Sequence, residues 1–362
     1  MNIDYATLEK KLERNYDELR DPTILSDVRN FFHQHPDPAQ ERMPIILIKR
    51  LTKMASHVID DDISITKTKY SLGTLRIARK YCTEGINKIL RNDIENLNAE
   101  YSFLRNMHSH LHAHAAGISL EIAAREPSTK EKANAFIAAF KHAHRAVILA
   151  TENNDKEYFI GYSLIKRANA AKGLAELAEE KDSLKWREIA AEDYKEGAQK
   201  IEKSFPINSL SPYAISLFQE YKIAEMYEVK GDAKEAQRRT QNALDLAEHL
   251  SYFGQLVQTQ PPSIRQALEN RLQFMQFDIA KHNRRMYYLT NKESFKRTAI
   301  KLLRRFINHQ TLNNPTQMRT TDYARQLLRP LIINRDELKN RSKNAKLSFK
   351  RTKQDILESE LG

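Results

Sequence analysis

The sequence predicts an all-α protein built from stacked helical hairpins, and two observations lead to this prediction. The 362-residue chain has only nine glycines and is rich in Ala, Leu, Lys, Glu, Arg and Gln, which all favour helices. Its apolar residues recur at alternating spacings of three and four, the period of one buried helix face. The low glycine content excludes a β-sandwich, a dinucleotide-binding α/β core and a phosphate loop.

Length and hydropathy limit the architecture and the compartment. A chain of 362 residues exceeds the usual size of one hydrophobic core, so we expect two domains or one elongated solenoid. No apolar run approaches the roughly 20 residues that cross a bilayer, and the N-terminus lacks a secretion signal. The only cysteine is Cys82, which excludes a disulfide framework. We therefore expect no membrane insertion and a cytoplasmic location, or a nuclear one if the organism is eukaryotic.

The first hairpin can be located from its apolar seam and its capping residues. A long helix is predicted from Leu97 onward, and it ends at Glu126-Pro127-Ser128. A second helix begins at Ser128, because Glu131 follows three positions later as in a capping box. The seam of the first helix consists of Leu97, Tyr101, Leu104, His108, Leu111, Ala115, Ile118 and Ile122. We expect the two helices to pack as an antiparallel hairpin.

A later hairpin carries the most specific structural motif of the chain. Ala224 and Ala236 are small where paired helices cross closely, and Gly231 tolerates the left-handed conformation that closes the first helix. The complete set of motif residues is Ile223, Ala224, Tyr227, Gly231, Ala236 and Ala243. This pattern, which extends over about 34 residues, resembles the tetratricopeptide repeat (TPR).

The TPR resemblance implies both a fold and a function. It implies a right-handed α-solenoid of antiparallel helical hairpins, in which the first helices of the pairs line a concave groove. Such a groove accepts a peptide or a helix of another protein, so the resemblance implies a non-enzymatic interaction scaffold. Glu220 stands where the family usually has a large aromatic residue, and Glu248 stands where it usually has proline. The neighbouring hairpins are also longer than one repeat, so the solenoid is TPR-like only in its middle.

These observations divide the chain into four predicted parts. Residues 1–95 are expected to form an N-terminal helical capping region, and residues 96–260 the TPR-like helical-hairpin solenoid. Residues 261–335 are expected to form basic C-terminal helices. Residues 336–362 form a charged tail that is either helical or disordered.

The positive charge of the protein is concentrated near the C-terminus. Between Lys281 and Lys353 there are 20 basic and four acidic residues, whereas the formal net charge of the whole chain is +12. In the helix predicted over residues 292–309, cations recur at i, i+4 and i+7, opposite an apolar stripe. The candidate nucleic-acid-binding residues are Arg284, Arg285, Lys296, Arg297, Lys301, Arg304, Arg305, Arg325 and Arg329.

This basic face is consistent with several partners. Clustered cations release counterions from a phosphate backbone, and the neighbouring Tyr287 and Tyr288 could stack on unpaired bases. We therefore expect an adaptor that binds a protein in its groove and contacts RNA or DNA through the basic face. The alternatives are a solvated face, an acidic protein partner, an anionic membrane surface, and a helical-repeat protein dedicated to nucleic acid.

A histidine-rich string on the first long helix suggests two further functions. His108 and His112 lie one turn apart, as do His110 and His114, and this spacing can chelate a divalent metal. No Asp, Glu or Cys within the string completes a ligand set, so we predict neither a metal nor another cofactor. His108 lies on the apolar seam, where a core role is expected.

The same string also contains Arg105-Asn106-x-x-x-His110, which resembles the R-N-x-x-x-H motif of the HEPN endoribonucleases. This family is all-helical as well. The resemblance implies that Arg105, Asn106 and His110 polarise a phosphate and activate a ribose hydroxyl across a dimer interface, without metal. A metal-independent endoribonuclease is therefore the enzymatic alternative to the non-enzymatic scaffold.

Overall fold

The computed structural model describes residues 22–38, 45–55, 70–92, 100–246, 250–309 and 315–332. These residues form thirteen α-helices and, within the ranges just given, no β-strand. The predicted all-α fold is therefore confirmed. The handedness of the stack and the antiparallel pairing of its helices stay predictions.

The helices account for most of the described residues. They are α1 (Pro22–Gln34), α2 (Ile45–Ala55), α3 (Leu72–Asn92), α4 (Glu100–Arg125), α5 (Thr129–Glu152), α6 (Glu157–Leu177), α7 (Glu180–Glu202), α8 (Leu210–Val229), α9 (Ala233–Leu246), α10 (Leu250–Gln258), α11 (Pro262–Thr290), α12 (Glu293–His309) and α13 (Pro315–Ile332). A 3₁₀ turn over Pro206–Ser209 joins α7 to α8. Helices that follow one another from α3 to α9 pack against each other.

The chain forms two compact units. The first unit extends from Met1 to Met275 and the second from Gln276 to Gly362, so the boundary falls inside α11. The four-part division predicted from composition stays a prediction. The predicted charged tail over 336–362 lies outside the described residues.

Local sequence signals account for the turns of the first unit. Ser128 has extended backbone geometry, and its hydroxyl accepts a hydrogen bond from the backbone N–H of Glu131 at 3.4 Å, as the capping motif predicts. Asn154 follows α5 with a φ of 55°, a conformation that asparagine tolerates better than most residues. Gly231 has a φ of 81° after α8, which is the left-handed position predicted for it.

The described part of the predicted α4 seam packs into the hydrophobic core of the first unit, whereas Leu97, its predicted start, lies outside the described residues. Leu111, Ala115 and Ile118 are fully buried on this helix. They share one core with aromatic residues of α1 and α3, such as Phe31 and Tyr81. The apolar face of α4 therefore packs against the N-terminal helices and joins them to the rest of the unit. The capping role expected of these N-terminal helices stays a prediction.

Helices α6 and α7 approach each other so closely that their backbones touch. A Cβ atom added to Gly161 would lie 2.8 Å from the carbonyl oxygen of Gly197, and one added to Gly197 would lie 2.9 Å from that of Gly161. Near the turn that joins the helices, the Ser183 hydroxyl donates to the carbonyl oxygen of Ala175 at 2.8 Å. No side chain larger than hydrogen fits at the glycine contact without a shift of the backbone.

A substitution at this contact is expected to destabilise the first unit. Gly161→Ala should lower the free energy of unfolding by about 1–3 kcal/mol, because overpacking forces two helix backbones apart. Gly254→Ala on α10 is the matched control, since nothing lies within 4 Å of its added Cβ. That control should be neutral or stabilising by up to about 1 kcal/mol. Urea denaturation followed by circular dichroism compares the two variants, and equal midpoints would contradict the prediction.

Candidate nucleic-acid interface

Helix α12 is held in the second unit by one apolar face. Ala299, Leu303 and Phe306 on this face are buried. The ring of Phe306 stacks on Phe277 of α11 with centroids 4.7 Å apart, and Leu327 of α13 belongs to the same core. This packing fixes which side of α12 faces solvent.

The opposite side of α12 is positively charged and exposed. Arg297, Lys301, Arg304 and Arg305 are all exposed there, and we refer to these four residues as the α12 basic face. Within the described part of the chain, none of the four forms an ion pair with an acidic side chain. Their charge is therefore available to an external anion. The sequence-based assignment of cations to the outside of this helix agrees with their exposure.

Two other predicted contact residues are already engaged within the second unit. The ammonium of Lys296 lies 3.6 Å from the Glu293 carboxylate and 5.5 Å from the centroid of the Tyr287 ring. On α13, Arg325 forms an ion pair with Asp322 at 2.8 Å. Arg329, one turn further along α13, is exposed.

The adjacent arginines of α11 have different environments. The guanidinium of Arg284 lies over the Tyr288 ring, 5.0 Å from its centroid, and Tyr288 is 52% exposed. Arg285 is only 8% exposed. Consecutive residues point about 100° apart around a helix, so one can face solvent while the next is buried. We therefore leave Arg285 out of the candidate interface and keep Arg284 with its exposed aromatic neighbour.

The TPR-like motif residues occupy the positions that their sizes predict. Ile223, Ala224, Ala236 and Ala243 are fully buried where α8 and α9 pack. Tyr227 packs in the cluster that contains Ile223, and its hydroxyl donates to Glu188 of α7 at 3.0 Å. Tyr227 thus joins the hairpin to the preceding helix.

Glu220 stands where tetratricopeptide repeats usually have an aromatic residue, and it is part of a buried polar network. It lies 3.6 Å from a guanidinium nitrogen of Arg239, which also pairs with Glu188 and Glu235. Burial raises the pKa of Glu220 despite these neighbouring cations. Arg239 of α9 compensates only part of the cost of burying this carboxylate, because Oε2 of Glu220 is buried without a hydrogen-bond partner among the described residues.

A polar cavity of about 460 Å³ opens beside this network. Residues of α7 and α9 form most of its lining, and Glu220 is the contribution of α8. The full lining consists of Ala191, Glu192, Lys195, Glu196, Gln199, Glu220, Arg238, Arg239 and Asn242. This cavity differs from the predicted peptide groove, which the TPR resemblance assigns to the first helix of each hairpin. That groove stays a prediction.

The histidines of α4 are enclosed by their neighbours. His108 and His114 are buried, His110 stacks on Phe159 with centroids 4.2 Å apart, and His112 lies 3.0 Å from His142, measured between their Nδ1 atoms. Burial lowers the pKa of His110 and of His112 to about 3. Over the described residues, no group of three or more His, Cys, Asp or Glu side chains could hold a metal ion.

The ribonuclease motif is divided between surface and interior. Arg105 and Asn106 are exposed, whereas the His110 ring is half-buried against Phe159. Because its pKa is lowered to about 3, His110 is neutral at pH 7. A histidine that transfers protons in catalysis works best with a pKa near the operating pH. This geometry does not favour the ribonuclease over the non-enzymatic alternatives.

The buried histidines are expected to make stability dependent on pH. His110 and His112 have a pKa near 6.5 in the unfolded chain and of about 3 in the folded chain. At a pH between these two values, only the unfolded chain binds the protons. The contribution of these histidines to stability is therefore complete above pH 6.5. Below that pH, the free energy of unfolding falls by up to about 1.4 kcal/mol per pH unit for each histidine. Urea unfolding at pH 7.5 and 5.5 measures this loss.

One variant isolates the contribution of His110 to this pH dependence. His110→Phe keeps an aromatic ring against Phe159 and should reduce the loss between pH 7.5 and 5.5 by about 1 kcal/mol. The control is His33→Phe, because His33 is exposed on α1. An identical loss in both variants would show that His110 does not contribute.

Comparisons with known proteins found weak structural similarities and no matching family. No protein-family model matches the chain, and no curated protein matches it. It is similar to the crystal structure of BtubC (BKLC) from P. vanneervenii, with 14% identity over 86% of this chain and 96% of that one and a TM-score of 0.38. It is also similar to a circular tandem repeat protein, with 14% identity over 97% of this chain and 84% of that one and a TM-score of 0.29. At these TM-scores the likeness carries no functional information.

No helix in the described ranges is both long and apolar enough to span a membrane.

Proposed function

We propose that this protein is a non-enzymatic helical adaptor that binds single-stranded RNA through the α12 basic face and another protein through its TPR-like first unit. The observation that carries the proposal is the α12 basic face. Four exposed cations lie on one side of one helix, and no acidic side chain of the described chain pairs with them. Uncompensated cations at helical spacing fit the regular charge of a phosphate backbone.

An exposed aromatic residue favours a single strand over a duplex. Tyr288 is half-exposed and has the Arg284 guanidinium over its ring. Aromatic rings stack on unpaired bases, which a duplex does not offer, and an adjacent arginine can add a cation–π contribution. The α12 basic face would then supply affinity without sequence preference.

The protein-binding half of the proposal is supported by the TPR-like hairpin of α8 and α9. Its small residues are buried at the helix crossing, and Gly231 adopts the left-handed conformation of the family pattern. The described part of the first unit is a continuous succession of helices from α3 to α9 that pack on their neighbours. Such stacks present extended surfaces that bind peptides or helices of other proteins.

The test of RNA binding is fluorescence anisotropy with a labelled single-stranded RNA at about 50 and 200 mM salt. Four phosphate contacts predict an affinity loss of about 50-fold between these concentrations, because each contact releases part of a counterion. Salt-independent binding, or none at 50 mM, would overturn the RNA assignment. In the latter case a polyglutamate probe tests whether the face binds an acidic protein instead.

The same samples also test the absence of catalysis. After the anisotropy measurement, the RNA is separated on a denaturing gel. Intact RNA is the expected result. Cleaved RNA that stays intact with the Arg105→Ala and His110→Ala variants would replace the adaptor with the ribonuclease.

A further inference from the structure

The polar cavity of about 460 Å³ between α7 and α9 has Glu220 of α8 in its wall, and we call it the Glu220 cavity. Its volume lies in the range of about 300–1,000 Å³ that is typical of sites for small ligands. The other lining residues are Ala191, Glu192, Lys195, Glu196 and Gln199 of α7, and Arg238, Arg239 and Asn242 of α9. Because nearly all of these side chains are polar, the cavity suits a charged ligand better than an apolar one.

Glu220 gives the cavity wall a carboxylate that is only partly paired. The residue is 8% exposed, and its Oε2 atom is buried without a hydrogen-bond partner among the described residues. The other carboxylate oxygen, Oε1, lies 3.6 Å from Nη1 of Arg239, which is longer than an ordinary hydrogen bond. A buried carboxylate oxygen that receives no N–H costs free energy. A ligand that donates an N–H to Oε2 would remove this cost.

The two arginines of the cavity are already paired with acids that do not line it. Arg238 donates to both carboxylate oxygens of Glu235, and the bond from Nε is 2.8 Å long. Arg239 pairs with Glu235 at 3.2 Å and also with Glu188. Neither Glu235 nor Glu188 belongs to the lining. The charges of the two guanidinium groups are therefore largely compensated before a ligand binds.

The acids of the lining are less well compensated than its arginines. Glu192 and Glu196 are exposed one turn apart on α7. Over the described ranges, Glu192 forms no ion pair, and Glu196 has a lysine, Lys200, only at 3.9 Å. With Glu220 they give the cavity three carboxylates, whereas Lys195 is the one lining cation without an acidic partner in the described chain. The charge left over at the cavity is negative and favours a cation.

We propose that the Glu220 cavity binds a linear aliphatic polyamine. One ammonium group of the ligand donates to the Glu220 carboxylate in the wall, and a second lies between Glu192 and Glu196 on α7. An ammonium group has three N–H donors, and the amide oxygens of Gln199 and Asn242 offer further acceptors in the same lining. The binding of both ends selects a cation with separated charges over a single point charge.

The remaining lining side chains fit the methylene groups of such a ligand. The aliphatic stems of Lys195 and Arg238 cover apolar surface while their charged ends stay in water. The Arg238 side chain is 55% exposed, so it can change rotamer and open the way to the covered Glu220 carboxylate. The site lies in the first unit and does not use the α12 basic face, so it does not rest on the proposed RNA binding.

The test is isothermal titration calorimetry on the full chain at pH 7 and low ionic strength, without RNA. Spermidine, putrescine and Mg²⁺ are the probes. We expect saturable binding of one spermidine per chain, weaker binding of the shorter putrescine, and no displacement of spermidine by an equal concentration of Mg²⁺. Glu192→Gln/Glu220→Gln should weaken spermidine binding at least tenfold, because it removes two of the three carboxylates and keeps the shape of both side chains.

Two further variants separate the site from net charge and from loss of folding. Glu152→Gln/Glu180→Gln removes two exposed acids outside the lining and should bind spermidine as the unchanged chain does. Glu192→Gln alone changes an exposed position, so it should retain the helical circular dichroism of the unchanged chain and still weaken binding several-fold.

Four results would overturn the proposal. The first is the absence of saturable spermidine binding to the unchanged chain. The second is an equal loss of affinity in the cavity variant and in the Glu152/Glu180 control. The third is displacement of spermidine by Mg²⁺ at equal concentration, which would indicate general attraction of cations. The fourth is tighter binding of a terminally blocked peptide with two lysines, lost in the cavity variant, which would assign the cavity to a side chain of a protein partner.

Discussion

Replacing Arg297, Lys301 and Arg304 with glutamate is expected to weaken binding to single-stranded RNA by at least about 100-fold at 50 mM salt. All three residues are exposed on α12, and no described acid pairs with them, so the change removes three candidate phosphate contacts and adds three repulsive charges. The slope of log affinity against log salt should become shallower by about 2, since each contact contributes about 0.7 with single strands. Anisotropy titrations at four salt concentrations measure both quantities.

A matched variant separates the α12 basic face from the net charge of the protein. Replacing Lys130, Lys141 and Lys185 with glutamate makes the same change of charge at exposed positions of α5 and α7. This control should retain most of the affinity and the salt dependence of the unchanged chain. If both triple variants lose affinity equally, binding depends on overall charge and the proposed interface is wrong.

Asp193→Ala is expected to lower the free energy of unfolding by about 3–5 kcal/mol, because it leaves a partly buried cation without its partner. Arg167 of α6 donates to both carboxylate oxygens of Asp193 on α7, from Nε at 2.7 Å and from Nη2 at 2.6 Å. Asp193 is 3% exposed and Arg167 is 18% exposed. The hydrogen bonds to Asp193 raise the pKa of the Arg167 guanidinium. Arginine also stays protonated at neutral pH without such a partner, so the remaining cation cannot escape the cost by losing its proton.

A double variant identifies the source of this loss. Arg167→Met/Asp193→Leu removes both charges and keeps apolar volume, so it should recover a large part of the lost stability. Asp182→Ala, an exposed position in the first turn of α7, should change stability by less than about 0.5 kcal/mol. Urea unfolding of the three variants decides the question. Equal losses in the single and double variants would show that packing, rather than the unpaired charge, determines the effect.

Features that depend on near neighbours in the chain could be predicted from the sequence. The seam of α4, the cap at Ser128 and the left-handed Gly231 all follow from interactions within one or two helical turns. The exposure of the α12 basic face was predictable for the same reason. The apolar residues and the cations of α12 each recur with the helical period and lie on opposite faces of the helix. Burial of the apolar face therefore leaves the cations in solvent.

Residues that lie far apart along the chain could not be paired from the sequence. Nothing in their spacing links Gly161 to Gly197 or Arg167 to Asp193, although each pair is in direct contact. The sequence pattern predicts that the neighbouring cations Arg284 and Arg285 both belong to the interface, yet only Arg285 is buried. Burial of a polar residue depends on which helix packs on which face, and that is a tertiary property.

Local periodicity thus determines that the chain is helical and where its helices begin and end. The tertiary structure decides which charges meet and which lose water, because charge–charge and desolvation energies depend on distance in space.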